Sequence, residues 1–208
     1  MGNDEVEIYR STDGGETWMK VASATRDSES SGLPVVGDKG GITFVNITTG
    51  WITGGIVERN WLFLYVTHDS GRTWRRQDLS LPSGLTLHWN VFTKPPEFFT
   101  PQAGILPAYY TLLPDSPSQR ETGLVVFYVT RDSGSVWTQT TPVSLTHGDD
   151  ASSSFADVNH GWVADGGVLY VTSDGGYHWA TMRPGPPFAS ADVRQLDFVS
   201  PRVGWAVC

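Results

Sequence analysis

The sequence predicts an all-β protein built from many short antiparallel strands. Its 208 residues include 23 Gly and 13 Pro, spread along the whole length, and nine Trp, nine Phe and seven Tyr. Turn-forming residues at short intervals, with aromatic residues between them, are typical of short strands and argue against a helical bundle. The longest strongly apolar run, Trp61–Val66, has the length of a strand and is too short for a membrane-spanning helix.

The charge balance bears on the kind of partner. With 14 basic and 22 acidic residues the net charge is −8, so the surface would repel a phosphate backbone and a nucleic-acid partner is not expected. A basic or neutral client surface is the better match. The single cysteine, Cys208, allows no disulfide within the chain, and the first residues lack the pattern of a signal peptide. These features do not identify the cellular compartment of the protein.

One motif occurs four times and dominates the chain. It reads Tyr-x-Ser/Thr-x-Asp-Gly/Ser-Gly-x-x-Trp. In this pattern an apolar strand ends, the Asp carboxylate accepts backbone N–H bonds of the turn, and Gly supplies a positive φ. A second strand then carries the Trp into the interior, so the motif predicts a β-hairpin. We call these segments the repeat hairpins; they are Tyr9–Trp18, Tyr65–Trp74, Tyr128–Trp137 and Tyr170–Trp179.

A second spacing also recurs four times. A Phe lies six residues before a Gly, and in three cases a Trp follows that Gly. This spacing predicts a first strand, a turn and a second strand that begins with the Gly. The second and third strands are then joined by a loop, and the repeat hairpin adds the fourth strand. The four spacings are Phe44–Gly50, Phe98–Gly104, Phe155–Gly161 and Phe198–Gly204.

Four-stranded units repeated in this way predict a β-propeller made of antiparallel blades. We expect one domain over residues 1–208 with about four blades' worth of repeats. The chain opens on the last two strands of a unit and closes on the first two strands of another. The sequence leaves open a closed four-blade ring and a segment of a larger propeller. The expected blades are 41–78, 92–142, 152–182, and a split blade that joins 193–208 to 5–22.

The repeat hairpin resembles the Asp box, or BNR repeat, of sialidases, sortilin-type receptors and xyloglucan hydrolases. The additional Phe-x5-Gly-Trp element is most similar to the repeats of the photosystem II assembly factor family. Together the two resemblances extend from about Tyr9 to Trp205. They imply a propeller that acts as a non-catalytic scaffold for a protein client or a glycan, and they favour an extracytoplasmic location. Because propellers carry unrelated activities, the resemblance indicates the fold more strongly than the function.

The Asp and Trp residues of the repeat hairpins are expected to be structural. An Asp at this position explains the turn fully, and in the resembled families the boxes lie away from the ligand face. The Trp rings are expected in the core. These residues are Asp13, Trp18, Asp69, Trp74, Asp132, Trp137, Asp174 and Trp179.

The long irregular stretches are predicted to share the opposite face, where function concentrates on a rigid scaffold. They join second strands to third strands and blades to one another. Aromatic and charged residues in or beside them are our candidates for a ligand surface. The candidates are His88, Trp89, Tyr109, Arg120 and Arg183.

Catalytic and metal chemistry find little support in the sequence. The five His residues show no metal-ligand spacing, so we expect no metal and no cofactor. No nucleophile elbow and no phosphate-binding loop occur. The alternative function is a glycoside hydrolase or a sialidase-like enzyme, or a fragment of one. Tyr109 hydrogen-bonded to an acid beside two or three Arg residues would mark that alternative.

Overall fold

The computed structural model describes residues 5–25, 31–56, 61–83, 85, 89–112, 122–146, 151–186, 188 and 193–208. These residues form 18 strands in five antiparallel sheets. None of the described ranges contains a helix that could cross a lipid bilayer. The strands are β1 (Glu5–Arg10), β2 (Met19–Thr25), β3 (Asp38–Phe44), β4 (Gly50–Ile56), β5 (Trp61–Thr67), β6 (Arg75–Gln77), β7 (Trp89–Thr93), β8 (Glu97–Phe98), β9 (Gly104–Leu112), β10 (Thr122–Thr130), β11 (Thr138–Gln139), β12 (Val143–Leu145), β13 (Ser152–Phe155), β14 (Gly161–Asp165), β15 (Val168–Thr172), β16 (Ala180–Met182), β17 (Gln195–Ser200) and β18 (Val203–Val207).

Three of the sheets are propeller blades with four strand positions each. Blade I has the order β3-β4-β5-β6 and blade III the order β13-β14-β15-β16. In blade II, β7 and β8 share the first position, β9 and β10 follow, and β11 and β12 share the fourth. The other two sheets have two strands each; β1 pairs with β2 and β17 pairs with β18. We call them the N-terminal pair and the C-terminal pair.

The Phe-x5-Gly spacing has a direct steric origin. The Phe ring of the first strand lies on the Gly of the second strand, where a side chain would collide with it. A Cβ atom added to Gly161 would lie 2.3 Å from the ring of Phe155, and one added to Gly50 would lie 2.6 Å from the ring of Phe44. The Gly is therefore needed for the close approach of the two strands.

Aromatic contacts join the strands of a blade and join one blade to the next. Within blade I the rings of Phe44 and Trp74 meet edge to face at 6.2 Å between centroids. Between blades I and II, Trp51 stacks on Phe98 at 4.9 Å. The same relation recurs between blade III and the C-terminal pair, where Trp162 stacks at 3.7 Å on the first-strand Phe. The aromatic residues of the repeat thus hold adjacent sheets face to face.

The apolar core is divided into clusters that lie between successive sheets. Trp51 and Tyr128 belong to a cluster between blades I and II. Phe127 and Phe155 belong to one between blades II and III. Two smaller clusters attach the N-terminal pair to blade I and the C-terminal pair to blade III. This succession of packed sheets is the arrangement of a propeller.

The strands do not close into a ring within the described residues. Strand β1 pairs only with β2, and β18 pairs only with β17, so the split blade expected from 193–208 and 5–22 is not assembled. The closed four-blade alternative is therefore wrong for this structure. Among the described strands, none lies beside the outer edge of β1 or the outer edge of β18.

One hairpin Trp departs from the expected core position. Trp74 and Trp137 are buried and Trp179 is partly buried against the core between blades II and III, but Trp18 is 64% exposed. Each of the other three rings packs against a Phe in the first strand of its own blade. Within the described residues, the sheet that contains Trp18's hairpin consists of β1 and β2 alone, so no first-strand Phe lies beside Trp18. The expectation that Trp18 lies in the core is wrong for that reason.

Candidate functional site

A pocket of about 890 Å³ opens where the first strands of the three blades begin. It is lined by the start of β3, by β7, by the end of β9, by the start of β13 and by Arg194, which precedes β17. First strands of successive blades thus converge on one concave surface, the usual place for a ligand on a rigid scaffold. The pocket lies at the end of the sheets opposite to the repeat hairpins, because β5 runs from the pocket side to the hairpin turn.

Two aromatic rings form one wall of the pocket. Phe92 of β7 pairs in register with Tyr109 of β9, and their ring centroids are 6.3 Å apart. Phe92 is 54% exposed, although it lies on an innermost strand. The Nζ atom of Lys94 lies 5.9 Å from the centroid of the Tyr109 ring. The wall therefore combines apolar ring surface with a positive charge.

The hydroxyl of Tyr109 lies 2.6 Å from the Oγ atom of Ser153 in blade III. Burial raises the pKa of Tyr109, and the hydrogen bond with Ser153 offsets part of that effect. The phenol is consequently protonated at neutral pH and joins blades II and III. The enzyme alternative required an acid as the partner of this hydroxyl, and its partner in the structure is a serine.

The three basic residues of the pocket differ in their availability. The ammonium of Lys39 donates to the backbone carbonyl oxygens of Gly37 and Val36 at 2.8 and 3.3 Å, so it serves the fold of its own loop. Burial lowers the pKa of Lys39, and the neighbouring carboxylate of Asp38 offsets part of this. Lys94 and Arg194 are both exposed, and within the described part of the chain neither forms an ion pair. These two cations are free to meet a ligand.

Buried acceptor atoms lie beside the aromatic wall. The Oδ1 atom of Asn90 and the Oγ1 atom of Thr93 are buried, and neither has a hydrogen-bond partner among the described residues. Both residues line the pocket. A buried polar atom without a partner is uncommon and calls for a water or a ligand group that satisfies it.

A second pocket, of about 430 Å³, lies further along the first strands and has a different charge. It is lined by Glu97 and Asp197 as well as by Lys94. Partial enclosure raises the pKa of Glu97, and the nearby carboxylate of Asp197 raises it further. The concave surface thus changes from basic at its mouth to acidic deeper along the strands.

The structure does not bring the residues predicted for ligand binding together. Tyr109 lines the pocket, but Trp89 packs on the opposite face of blade II, in the cluster that contains Trp51. Arg183 is exposed beyond the end of β16, the outer strand of blade III. His88 and Arg120 lie outside the described residues.

Four further residues line the pocket and were not among the residues predicted from the sequence: Asn90, Phe92, Lys94 and Arg194. The predicted residues were sought in the irregular stretches, whereas these residues lie on or beside the innermost strands. One signal was available in the sequence. The segment Trp89–Lys94 alternates between polar and apolar residues only imperfectly, and an aromatic ring falls on its polar side.

The repeat hairpins have a common hydrogen-bond pattern at the opposite end of the sheets. Oδ1 of Asp69 accepts the backbone N–H groups of Arg72 and Thr73 at 3.0 and 2.9 Å, and it accepts the hydroxyl of Thr67 at 2.8 Å. The same hydroxyl accepts the N–H of Gly71 at 3.0 Å. The Asp carboxylates are thus occupied by their own turns. Corresponding bonds occur at Asp13, Asp132 and Asp174.

Because of these turns, we expect the stability of the protein to depend on pH in the acid range. Desolvation raises the pKa of Asp69, but hydrogen bonds from Thr73, Thr67 and Arg72 outweigh it and lower the pKa from 3.8 to about 2. A depressed pKa contributes stability that is present above the unfolded value and is lost as pH falls through the folded value. We therefore expect Tm to fall between about pH 4 and pH 2, and to fall less in Asp69→Asn. Thermal melts across this range measure the effect.

The control for this prediction is Glu16→Gln, which removes a surface carboxylate from a hairpin while leaving the turn's hydrogen bonds in place. It should retain the wild-type dependence of Tm on pH. If Tm falls in parallel with pH in Asp69→Asn and in wild type, the Asp69 carboxylate does not contribute to the pH dependence of stability.

The described residues contain no group of three or more His, Cys, Asp or Glu side chains able to hold a metal ion. No family model matches the chain, and no curated protein matches it. Among solved structures it is similar to YCF48 bound to D1 peptide, with 18% identity and a TM-score of 0.40. That similarity covers 70% of this chain and 40% of the other, so the chain spans less than half the length of that neighbour.

Proposed function

We propose that the chain is a non-catalytic Asp-box propeller scaffold that binds a segment of a client protein at the mouth of the larger pocket. The observation that carries the proposal is the wall formed by Phe92, Tyr109 and Lys94. An exposed ring on an innermost strand, beside a cation and unsatisfied buried acceptors, has the composition of a recognition surface. The resemblance of the repeats to those of assembly factors favours a protein client over a glycan.

The chemistry of the pocket indicates what the client segment presents. Phe92 and Tyr109 suit an apolar or aromatic side chain. Lys94 and Arg194 suit a carboxylate, and the Oδ1 atom of Asn90 suits an N–H donor such as a backbone amide. A segment that combines these groups is acidic, in contrast to the basic or neutral client suggested by the net charge of −8. Charges more than about 10 Å away are screened in salt, so local cations decide the match.

The proposal treats the acids of the repeat hairpins as structural. Their carboxylates are bound to their own turns, at the end of the sheets away from the pocket. Tyr109, the residue that would have marked sialidase-type chemistry, pairs with Ser153. These contacts support a scaffold rather than a hydrolase. Turnover of fluorogenic glycosides or of a sialoside by the purified protein would contradict it.

The test is a selection of random 12-residue peptides displayed on phage, followed by fluorescence anisotropy with the enriched peptides. We expect enriched sequences to combine an acidic residue with an aromatic or aliphatic one. Phe92→Ala should weaken binding about tenfold or more, the loss typical of a central aromatic contact. Lys94→Gln should weaken it less and reduce its dependence on salt.

The matched control is Val136→Ala, which truncates a comparably exposed apolar side chain in a repeat hairpin at the opposite end of the sheets. It should leave peptide affinity unchanged. The proposal would be overturned if no peptides are enriched, or if the enriched peptides bind Phe92→Ala as well as wild type. It would also be overturned if the protein binds members of a panel of oligosaccharides instead.

A further inference from the structure

The first strand position of blade II contains one residue more than the strand beside it. Thr93 of β7 lies opposite Ala108 of β9, and Glu97 of β8 lies opposite Ile105. Four steps along the first position therefore correspond to three steps along β9. The additional residue forms a β-bulge. Two consecutive prolines, Pro95–Pro96, lie in it, and proline is tolerated there because a bulge does not need its missing N–H.

The bulge brings Lys94 and Glu97 to the same face of blade II. Residues three apart in a regular strand point to opposite faces, but one additional residue reverses the alternation. Lys94 lies on the face of Phe92, because its Nζ atom is 5.9 Å from the ring centroid of Tyr109, the residue that Phe92 opposes. Glu97 lies on this face as well, because Ile105 opposite to it belongs to the same core cluster as Tyr109.

Four side chains thus follow one another along this face at intervals of two strand positions, which is about 7 Å. Asn90, Phe92 and Lys94 alternate along β7, and Glu97 follows them across the bulge. We call these four residues the recognition row. The opposite face of β7 is buried, as Val91 in the core between blades I and II shows. The row spans both pockets, because Lys94 lines the two of them.

The two charges of the recognition row do not neutralise each other. Lys94 and Glu97 are exposed, and among the residues that the structure describes neither forms an ion pair. Glu97 lines the smaller pocket together with a second carboxylate, that of Asp197, and a cationic group between them would offset their repulsion. Phe99 and Pro107 are partly buried in the same pocket and suit the apolar stem of a Lys or Arg side chain.

We propose that the recognition row binds an extended client segment in which an apolar residue, an acidic residue and a basic residue alternate with residues that face away. An extended chain points every second side chain to one side, with the same repeat of about 7 Å. The apolar side chain then contacts Phe92, the acid binds Lys94 and the base binds Glu97. This inference rests on the proposed function, to which it adds the basic residue and the two-residue spacing.

Designed 12-residue peptides test the spacing by fluorescence anisotropy. Each contains one Phe, one Asp and one Lys among Ser and Thr residues. In the in-phase peptide single residues separate the three, whereas in the out-of-phase peptide a second residue separates Asp from Lys. Both are made in the two chain directions. We expect the tighter-binding in-phase peptide to bind about threefold to fivefold more tightly than its out-of-phase counterpart, because only the former turns its Lys toward Glu97.

Reversal of one charge in the protein tests the role of Glu97. In Glu97→Lys the preference should reverse, so that a peptide with Glu in place of its Lys binds more tightly than the original in-phase peptide. The matched control is Glu16→Lys, which makes the same change at an exposed position in a repeat hairpin, at the opposite end of the sheets. It should retain the wild-type preference for Lys, because charges more than about 10 Å away are screened in salt.

The outcomes distinguish this inference from the proposed function. If in-phase and out-of-phase peptides bind equally well and Phe92→Ala weakens both, the client site is supported but the recognition row is wrong. A retained preference for Lys in Glu97→Lys would likewise overturn the inference alone. If none of the peptides binds, the proposed function and this inference are both contradicted.

Discussion

Replacing Trp51 by alanine should lower the free energy of unfolding by about 3–5 kcal/mol, the usual loss when a large aromatic ring is removed from a core. The ring is buried, stacks on Phe98 at 4.9 Å and meets Trp137 edge to face at 6.3 Å. Its Nε1 donates to Oε1 of Gln77 at 3.2 Å. The truncation would therefore open a cavity between blades I and II and remove their main aromatic contact. Urea denaturation followed by circular dichroism measures the loss.

Phe92→Ala provides the matched comparison for this prediction. It removes an aromatic ring from a neighbouring strand, but the ring is largely exposed in the pocket, so the free energy of unfolding should change by less than about 1 kcal/mol. Similar losses for the two variants would mean that the blades are not held together as described. A small change for Phe92→Ala also separates its effect on binding from an effect on folding.

Gly134→Ala should destabilise the protein by about 2–5 kcal/mol, for two separate reasons. Gly134 has a φ of +79°, where an L-residue costs about 1–2 kcal/mol. Its added Cβ would also lie 2.2 Å from Cζ2 of the buried Trp51 ring. Overpacking of this kind typically lowers the free energy of unfolding by a further amount of about 1–3 kcal/mol. The same denaturation measurement applies.

Gly14→Ala isolates the cost of the backbone conformation. Gly14 has a φ of +77°, and a Cβ added there meets no atom within 4 Å. Two of the other three hairpins place a serine, Ser70 or Ser133, at the equivalent position with positive φ, so a side chain is tolerated. We expect a loss of about 1–2 kcal/mol, the backbone cost alone. If Gly134→Ala were no worse than Gly14→Ala, the contact between the hairpin and Trp51 would be of no energetic importance.

Sequence spacing could predict the blades because the contacts that define them are local. The Phe-x5-Gly spacing results from a Phe ring that lies on a glycine across one tight turn. The hairpin motif results from an Asp and a Thr whose hydrogen bonds stabilise another turn. Both interactions fall within a few residues of the chain. They depend on residue type at each position, so they leave a clear pattern in the sequence.

The pocket and the state of the strand edges depend on contacts between distant parts of the chain. Phe92 and Tyr109 lie in blade II, Ser153 in blade III and Arg194 before the C-terminal pair, and no spacing relates them. Trp18 fits the hairpin motif fully, yet its burial depends on a first-strand Phe, and none lies beside it within the described residues. The turns could therefore be predicted from motifs, whereas the residues that line the pocket are related by no motif.

Photo-cross-linking from position 92 tests the proposed binding surface most directly. Phe92 would be replaced by p-benzoylphenylalanine and irradiated with a peptide from the phage selection, with Val136 replaced in the same way as the control. We expect a covalent adduct at position 92, suppressed by excess unlabelled peptide, and no adduct at position 136. An adduct at position 136 of equal yield, or none at position 92 with a peptide that still binds, would contradict the proposed binding surface.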